Sequence, residues 1–113
     1  MPALAAVAIA IESVESGGRW WVENGGCVGV MQVNPRWSIH SRAALFDPNV
    51  NRQEGRRILD YWLKRSRGNL QKALAAYNCG NAGLRGECGH GYARRVLRLA
   101  KVLDSRNAKG GER

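Results

Sequence analysis

The stretch that decides the fold is AIAIESVESGGRWWVENGGCVGVMQVNP, residues 8–35 of a chain of 113 residues. It opens as an apolar helix, turns at Gly17 and Gly18, and closes with the run GVMQ. At about 100° per residue, one side of this helix carries an apolar stripe, and Glu15 lies within roughly 60° of its centre. The predicted stripe consists of Leu4, Val7, Ala8, Ile11 and Val14.

Glu12 and Glu15 are the two carboxylates of this helix, and each precedes a serine. A carboxylate on the flank of a core-facing stripe is partly desolvated, which raises its pKa toward the range that a general acid needs near neutral pH. The same pattern also fits a boundary glutamate whose carboxylate stays in water. The position relative to the stripe and the following Gly-Gly favour Glu15 over Glu12.

The composition is that of a single globular domain, with 44% hydrophobic and 24% charged residues. The charge is uneven: the chain carries +9 overall, and almost all of its basic residues follow residue 35. Such a surface attracts polyanions, which include nucleic acid, anionic lipid and the anionic polymers of a bacterial envelope. Charge alone does not choose among them.

No stretch is long and apolar enough to span a membrane. The opening MPALAAVAIAI is similar to the apolar part of a signal peptide, but no basic residues precede it, and cleavage after it would cut the helix that carries Glu15. We therefore interpret it as structural. Export then uses another route, or the chain is a domain of a longer protein.

The three cysteines, Cys27, Cys79 and Cys88, are too few for a disulfide scaffold and lack the spacing of zinc ligands. Cys79 and Cys88 flank a glycine-rich loop and could pair in an oxidising compartment; three free thiols are an equal alternative. No metal site and no cofactor are predicted.

The remaining pattern predicts a mainly α-helical domain over residues 1–104 and a polar, flexible tail over 105–113. Trp20 and Trp21 are expected to plug the core, with stacking on sugar rings as the alternative. Predicted helices cover residues 2–16, 49–67, 70–78 and 92–104. Loops are predicted at 19–29 and 81–91. Residues 28–33 are predicted as a strand or a helical turn, and residues 35–46 as irregular or short-helical.

Five sequence blocks occur in a fixed order: IESVESGG, GVMQVNP, DPxxNxxxGxxxL, GNLxxALAAYN and YARRVL. In that order they resemble the lytic transglycosylases of the goose-type lysozyme superfamily, over nearly all of residues 5–103. The resemblance implies a lysozyme-like helical domain with glycine-rich loops around a glycan cleft. Val30 and Cys79 stand where the family often has leucine and alanine.

The resemblance also implies a role for each matching residue. Glu15 would be the catalytic acid/base, and Ser16 would support the site. Met31 and Gln32 would line the floor of the cleft. The sugar beside the scissile bond would be oriented by Tyr77 and Asn78, and Tyr92 would approach the same cleft.

This family's reaction cleaves the β-1,4 bond between N-acetylmuramic acid and N-acetylglucosamine and leaves a 1,6-anhydro ring. Because no second carboxylate stands in a motif with Glu15, a single acid/base is expected. Hydrolysis by a muramidase is the alternative, with Glu23 or Asp47 positioning a water. A basic nucleic-acid-binding module is the rival of a different class, although no recognition motif supports it.

The partners that the resemblance implies are peptidoglycan glycan strands and anionic envelope polymers, with no specific nucleic acid. We expect a monomer that acts on the cell wall outside the cytoplasm, in the periplasm, outside the cell or as part of a virion. A bacteriophage endolysin or a secretion apparatus would be a compatible setting.

Overall fold

The computed structural model describes residues 1–111, with the side chains of residues 1–107. Within this part the chain is mainly helical, and its strands form one two-stranded hairpin, which confirms the predicted fold class. The elements are α1 (Leu4–Ser16), β1 (Glu23–Asn24), β2 (Cys27–Val28), a 3-10 turn (Pro35–Trp37), α2 (Arg42–Leu45), α3 (Pro48–Arg65), α4 (Leu70–Cys79), α5 (Asn81–Leu84) and α6 (His90–Gly111).

The chain divides into two compact units. The first, which we call the hairpin unit, is Ile11–Ile58. The second, the helical unit, combines Met1–Ala10 with Leu59–Arg113.

A tight antiparallel hairpin gives the hairpin unit its name. Glu23 pairs with Val28 and Asn24 with Cys27, and the two turn residues Gly25 and Gly26 both have positive φ, 56° and 88°. Glycine adopts this backbone without steric cost, which is why a two-glycine turn closes such hairpins. The chain then folds back so that Val28 and Val33 bridge. The fully buried side chains of this unit include Ile11, Val28, Val30, Met31, Val33 and Leu45.

Three polar side chains cap helical segments that begin in the hairpin unit. Asn34 accepts the Arg36 N–H at 3.0 Å, and Ser41 accepts the Ala44 N–H at 3.2 Å. Asp47 accepts the N–H groups of residues 49 and 50 at 2.9 and 3.1 Å, and thereby caps α3. The predicted helix start at Asp47-Pro48 is confirmed.

In the helical unit, α4 packs against α5 and α6. Asn69 caps α4 by accepting the Lys72 N–H at 3.0 Å, and Gly80 ends it, both as predicted. The contact with α5 is so close that a Cβ at Gly83 would come within 2.3 Å of the Ala75 carbonyl oxygen. Buried residues of this unit include Val7, Leu59, Leu70, Ala73, Leu74, Tyr92, Ala93, Val96 and Ala100.

Two predictions of secondary structure are wrong here. Residues 81–91 are not all loop, because α5 begins directly after Gly80, whose φ of 69° redirects the chain. The last helix begins at His90 rather than at Tyr92, so it includes Gly91. Gly83 explains the first difference, since its lack of a side chain lets a short helix pack on α4, a tertiary contact that local sequence does not reveal.

The apolar stripe of α1 differs from the predicted one at its ends. Leu4 is exposed and Val14 is half-buried, whereas Ala6 and Ala10 are buried beside Val7 and Ile11. The buried face is therefore rotated toward the alanines, whose small side chains allow close packing.

α6 runs beyond Asp104 to Gly111, so the predicted tail 105–113 begins inside a helix; residues 112 and 113 lie outside the described residues. The later part of α6 is held near the start of the chain in the same unit, because the Ala3 N–H donates to Asp104 Oδ2 at 3.2 Å. Among the helices of the described residues, none is long and apolar enough to cross a membrane.

Candidate active site

Glu15 lies half-buried in the last turn of α1, and the chain leaves the helix directly after Ser16. Gly17 and Gly18 have φ values of 65° and 79°, a left-handed backbone that ends the helix there. Arg19 closes the end by donating from Nε to the Ser16 carbonyl oxygen at 2.7 Å. The position of the Glu15 backbone is thus fixed by the helix terminus.

Ser16 is a buried support, with 1% of its surface exposed. Its hydroxyl donates to the Val30 carbonyl oxygen at 2.7 Å and accepts the Gly18 N–H at 3.1 Å. The bond to Val30 ties the end of α1 to the GVMQ loop. This arrangement agrees with a supporting role for Ser16.

Glu12 is engaged by a neighbour on α3. Arg52 donates from Nε to Oε2 at 3.0 Å and from Nη2 to Oε1 at 2.8 Å, a two-point contact of guanidinium with carboxylate. The glutamate of the first Glu-Ser motif is therefore part of an ion pair that joins α1 to α3.

Met31 and Gln32 lie beneath the surface, with 1% and 9% of their surface exposed. Gln32 has a φ of 52°, unusual for a residue with a side chain, and its Nε2 donates to the carbonyl oxygens of Val22 and Gly29, both at 2.9 Å. Met31 packs so closely on α3 that a Cβ at Gly55 would lie 2.5 Å from its sulfur. Both side chains thus support the loop from its buried side, and little of their surface is available to contact a sugar.

Asn51 organises this loop, although the sequence pattern gave it no role. It is fully buried; Oδ1 accepts the Met31 N–H at 2.8 Å, and Nδ2 donates to the Val28 and Leu45 carbonyl oxygens at 2.7 and 2.8 Å. One side chain therefore satisfies three buried backbone groups. The signal was present in the block DPxxNxxxGxxxL, whose Asn, Gly and Leu recur at one-turn spacing on α3.

Cys27, on β2, carries a half-buried free thiol, and its pKa is affected by the charges of Glu15 and Arg42. Burial raises the pKa of this thiol, the negative charge of Glu15 raises it further, and Arg42 lowers it. Glu15 and Arg42 therefore both lie within electrostatic range of the hairpin. Arg42 in turn forms an ion pair with Glu23 on β1.

Trp20 and Trp21 are 50% and 59% exposed, so the prediction that they plug the core is wrong. Their rings meet edge to face with centroids 5.8 Å apart. The two residues follow the glycines that end α1, where the chain has already left the packed helix. Their exposure leaves the alternative, stacking on sugar rings, as a prediction.

A surface pocket of about 290 Å³ lies beside the hairpin turn. Its lining combines backbone at the two turn glycines with two guanidinium groups, and consists of Gly25, Gly26, Asn34, Pro35, Arg36 and Arg42. Polar backbone and cationic side chains suit an anionic or hydroxyl-rich ligand.

The other predicted site residues belong to the helical unit. Tyr77 and the exposed Asn78 lie in the last turn of α4, and Tyr92, 5% exposed, lies in the first turn of α6. A disulfide between Cys79 and Cys88 joins these two helix ends, which decides between the paired and free alternatives.

Gly89 brings the same helix ends into contact. A Cβ there would lie 2.8 Å from both the Cα and the carbonyl oxygen of Ala75, and its φ is 84°. The structure therefore gathers Tyr77, Asn78 and Tyr92 at one end of the helical unit, as it gathers Glu15, Ser16, Met31 and Gln32 in the hairpin unit. Among the described residues, no cluster of three or more His, Cys, Asp or Glu is placed to hold a metal ion.

Comparison with known proteins identifies the family. The transglycosylase SLT domain matches residues 3–95, which include every residue discussed in this section. No curated protein and no solved structure gives a significant match. The chain therefore belongs to the transglycosylase SLT domain family, whose members cleave the glycan strands of peptidoglycan and so act on the cell wall.

Proposed function

We propose that this protein is a lytic transglycosylase that cleaves the β-1,4 bond between N-acetylmuramic acid and N-acetylglucosamine, with Glu15 as the single acid/base. The observation that carries the proposal is the position of Glu15, half-buried in the last turn of α1 directly before Ser16, whose hydroxyl ties the helix end to the GVMQ loop. The other carboxylates of the hairpin unit each have a structural role, which argues against a second catalytic carboxylate. Glu12, Glu23 and Glu54 are paired with Arg52, Arg42 and Arg57, and Asp47 caps α3.

A single acid/base is chemically sufficient for this substrate. The protonated Glu15 carboxyl donates its proton to the glycosidic oxygen as the bond to the anomeric carbon breaks. The acetamido group of the muramyl sugar stabilises the positive charge at that carbon, as in substrate-assisted glycosidases. The Glu15 carboxylate then accepts the proton of the sugar's own 6-hydroxyl, whose oxygen bonds to the anomeric carbon and closes the 1,6-anhydro ring. The proton count balances, and no water is consumed.

Intramolecular attack is favoured because the 6-hydroxyl is part of the bound sugar. Its effective concentration at the anomeric carbon exceeds that of free water by a large factor. A half-buried acid at a helix end also has fewer surrounding waters than an exposed one. Both points favour the anhydro product.

The remaining site residues are proposed to bind and position the glycan. Trp20 and Trp21 offer exposed aromatic faces to sugar rings. Asn78 is exposed at the end of α4 and can hydrogen-bond a sugar, with Tyr77 and Tyr92 nearby in the same unit. Ser16, Met31 and Gln32 act from beneath by holding the loop after the hairpin.

Hydrolysis by a muramidase remains the second candidate, because Glu23 offers a second carboxylate within the hairpin unit. Glu23 lies on β1, where it pairs across the hairpin with Val28, and its side chain is about half exposed. If the ion pair with Arg42 opens, Glu23 could orient a water toward the sugar.

We further propose that the protein acts as a monomer and that its basic surface adsorbs it to anionic envelope polymers. Residues 59–107 carry most of that charge, including Arg94, Arg95, Arg98 and Lys101, all exposed on α6. Action in the periplasm, outside the cell or from a virion is compatible with this surface.

The test is mass spectrometry of the muropeptides that the protein releases from purified sacculi. Transglycosylation leaves 1,6-anhydro muramyl ends, each lighter by one water than the reducing ends that hydrolysis leaves. A Glu15→Gln variant of confirmed thermal stability is the control, and it should release neither product. Predominantly reducing ends would replace the proposal with the muramidase alternative.

A further inference from the structure

Residues 36–42, with the sequence RWSIHSR, form a second exposed surface that the proposed chemistry does not use. Ile39 is 94% exposed, more than any other large apolar residue in the described part of the chain, and Trp37 is 71% exposed. Single exposed apolar residues are common on proteins, but a tryptophan and an isoleucine protruding together from one short segment are not. We call residues 36–42 the docking segment.

Ser38 anchors the segment between its two exposed apolar residues. It follows the 3-10 turn and is extended, with φ −126° and ψ 151°. Its hydroxyl donates to Glu54 Oε2 at 2.7 Å, which holds Ser38 against α3. The residues on either side of this anchor, Trp37 and Ile39, are both largely exposed to solvent.

A buried ionic network holds the segment in this conformation. Glu54 is 5% exposed and accepts hydrogen bonds from Nε and Nη2 of Arg57, both at 3.1 Å. Nη2 of Arg57 also donates to the Trp37 carbonyl oxygen at 2.7 Å, and the His40 N–H donates to Ser38 Oγ at 3.0 Å. Because the buried Glu54 carboxylate and Arg57 hold the backbone of the segment, Trp37 and Ile39 are exposed on an ordered part of the fold and not on a loose loop end.

The charges around the segment are positive. Arginines stand at both ends, and the segment contains no acidic residue. Arg36 makes no ion pair with any residue in the described part of the chain, and the Arg57 side chain is 52% exposed. An apolar pair framed by cations fits a partner with an apolar interior and a negatively charged surface.

We propose that the docking segment binds an anionic phospholipid surface, with Trp37 and Ile39 entering the headgroup region and the arginines contacting lipid phosphates. Tryptophan favours the membrane–water interface, and cationic residues are attracted to anionic leaflets. A sugar ring is a weaker partner for this surface, since isoleucine has no flat aromatic face to stack on it. The net charge of +9 adds long-range attraction to the same surface.

The two apolar residues of the segment, Trp37 and Ile39, are not among those assigned to chemistry or sugar binding, although its end arginines also line the pocket beside the hairpin turn. The inference therefore goes beyond the proposed function and stands independently of it. A wall-cleaving enzyme with such a segment would work along the face of the wall that lies next to the membrane.

The test is co-sedimentation of the whole protein with vesicles of phosphatidylcholine alone or of phosphatidylcholine mixed with phosphatidylglycerol, whose anionic headgroups give the surface a negative potential. The wild type should bind the anionic vesicles and hardly bind the zwitterionic ones, and binding should fall as salt rises. Trp37→Ser/Ile39→Ser should weaken binding to anionic vesicles by about tenfold or more, because two apolar side chains no longer leave water. Turnover of a soluble glycan fragment should be unchanged.

Ile9→Ser/Trp21→Ser is the matched control, since it removes the same residue types at positions that are 51% and 59% exposed. It should bind vesicles like the wild type. A second measurement uses brominated lipid, which quenches tryptophan within the bilayer; quenching should be strong in the wild type and largely lost in Trp37→Phe.

Any of three results would overturn the proposal: equal binding of the docking-segment variant and the wild type, equal losses in both double variants, or binding to zwitterionic vesicles as strong as to anionic ones. Loss of binding to purified sacculi with unchanged vesicle binding would reassign the segment to glycan.

Discussion

Arg52 holds Glu12 at both carboxylate oxygens, with Nε 3.0 Å from Oε2 and Nη2 2.8 Å from Oε1. Glu12 lies one helical turn before Glu15 on α1, and only 16% of its side chain is exposed. The helix thus carries one glutamate that is committed to joining α1 and α3 and a second one at its C-terminal end. The contact with Arg52 gives Glu12 a structural role and argues against Glu12 as the acid, a choice that the repeated Glu-Ser motif leaves open.

The first prediction separates these two glutamates. Glu15→Gln should lower the release of muropeptides from sacculi by at least about a hundredfold, because the amide keeps the shape but cannot donate the proton. Glu12→Gln should keep most of the activity and lose roughly 1 kcal/mol of unfolding free energy, since one ion pair is weakened. Turbidity loss of sacculi and thermal unfolding of both variants measure the two effects. Equal activity losses, or a fully active Glu15 variant, would exclude Glu15 as the acid.

The second prediction concerns Asn51. Asn51→Ala should lower the free energy of unfolding by roughly 3 kcal/mol or more, because three buried backbone groups, at Val28, Met31 and Leu45, lose their partner. Denaturation in urea measures the loss. Asn49→Ala is the control, since Asn49 is exposed on the same helix and should change stability by less than about 0.5 kcal/mol. A similar small effect at both positions would show that the network does not stabilise the loop.

The helices were predictable from sequence because local signals fix their ends. Asp47, Asn69 and Gly80 occupy the cap positions that their side chains or backbone favour, and α1, α3 and α4 begin and end within about two residues of the prediction. α5 was missed because it depends on Gly83 touching α4, a contact between segments.

The site was only partly predictable for the same reason. The motif order indicates Glu15, but whether a side chain faces solvent is decided by packing, and Trp20 and Trp21 are exposed where burial was expected. Asn51 carried a visible signal within its block, yet its three partners lie on a loop about twenty residues away and on Leu45. Long-range pairing of this kind follows from the fold and cannot be read from one segment.

The third prediction concerns acid stability. Hydrogen bonding from Arg57, with a further contribution from Ser38, lowers the pKa of Glu54 despite the opposing effect of burial. Because the folded pKa lies below the unfolded value of about 4.3, the Glu54 network stabilises the fold above that pH, and the contribution is lost as pH falls through the folded pKa. Glu54→Gln should therefore cost about 2 kcal/mol at pH 7 and much less near pH 3.

Thermal unfolding of wild type and Glu54→Gln across this pH range measures the difference. Glu23→Gln serves as the control, because its ion pair with Arg42 is half exposed and should contribute less than about 1 kcal/mol at pH 7. A constant difference between wild type and Glu54→Gln from pH 7 to pH 3 would contradict a titrating origin.

The fourth prediction concerns the disulfide. Its cysteines are separated by 9 positions, and closing so short a loop restricts the unfolded chain by about 2.5 kcal/mol. Cys79→Ala/Cys88→Ala, or reduction of the wild type, should lower stability by that order and also lower turnover, because the helix ends that carry Asn78 and Tyr92 separate more easily. Cys27→Ala is the control: its stability should still fall on reduction, because the variant retains the disulfide. Unfolding in the presence and absence of dithiothreitol decides; an unchanged melting temperature would mean that the bond contributes nothing.

The last prediction addresses Glu23, which with the α3 cap Asp47 is one of the two carboxylates that the muramidase alternative could use. Its ion pair with Arg42 occupies the group that would otherwise orient a water, while the 6-hydroxyl of the muramyl sugar is already attached to the substrate. Glu23→Gln should therefore leave the rate and the anhydro product unchanged, and digestion in ¹⁸O-labelled water should place no label in the muramyl ends. Arg42→Gln provides the complementary variant, because it releases Glu23 from its partner. If Glu23 can recruit water at all, labelled reducing ends should increase in Arg42→Gln. They should vanish again in the double variant Glu23→Gln/Arg42→Gln. Labelled reducing ends that predominate in the wild type and disappear in Glu23→Gln would instead make Glu23 the base of a hydrolytic reaction.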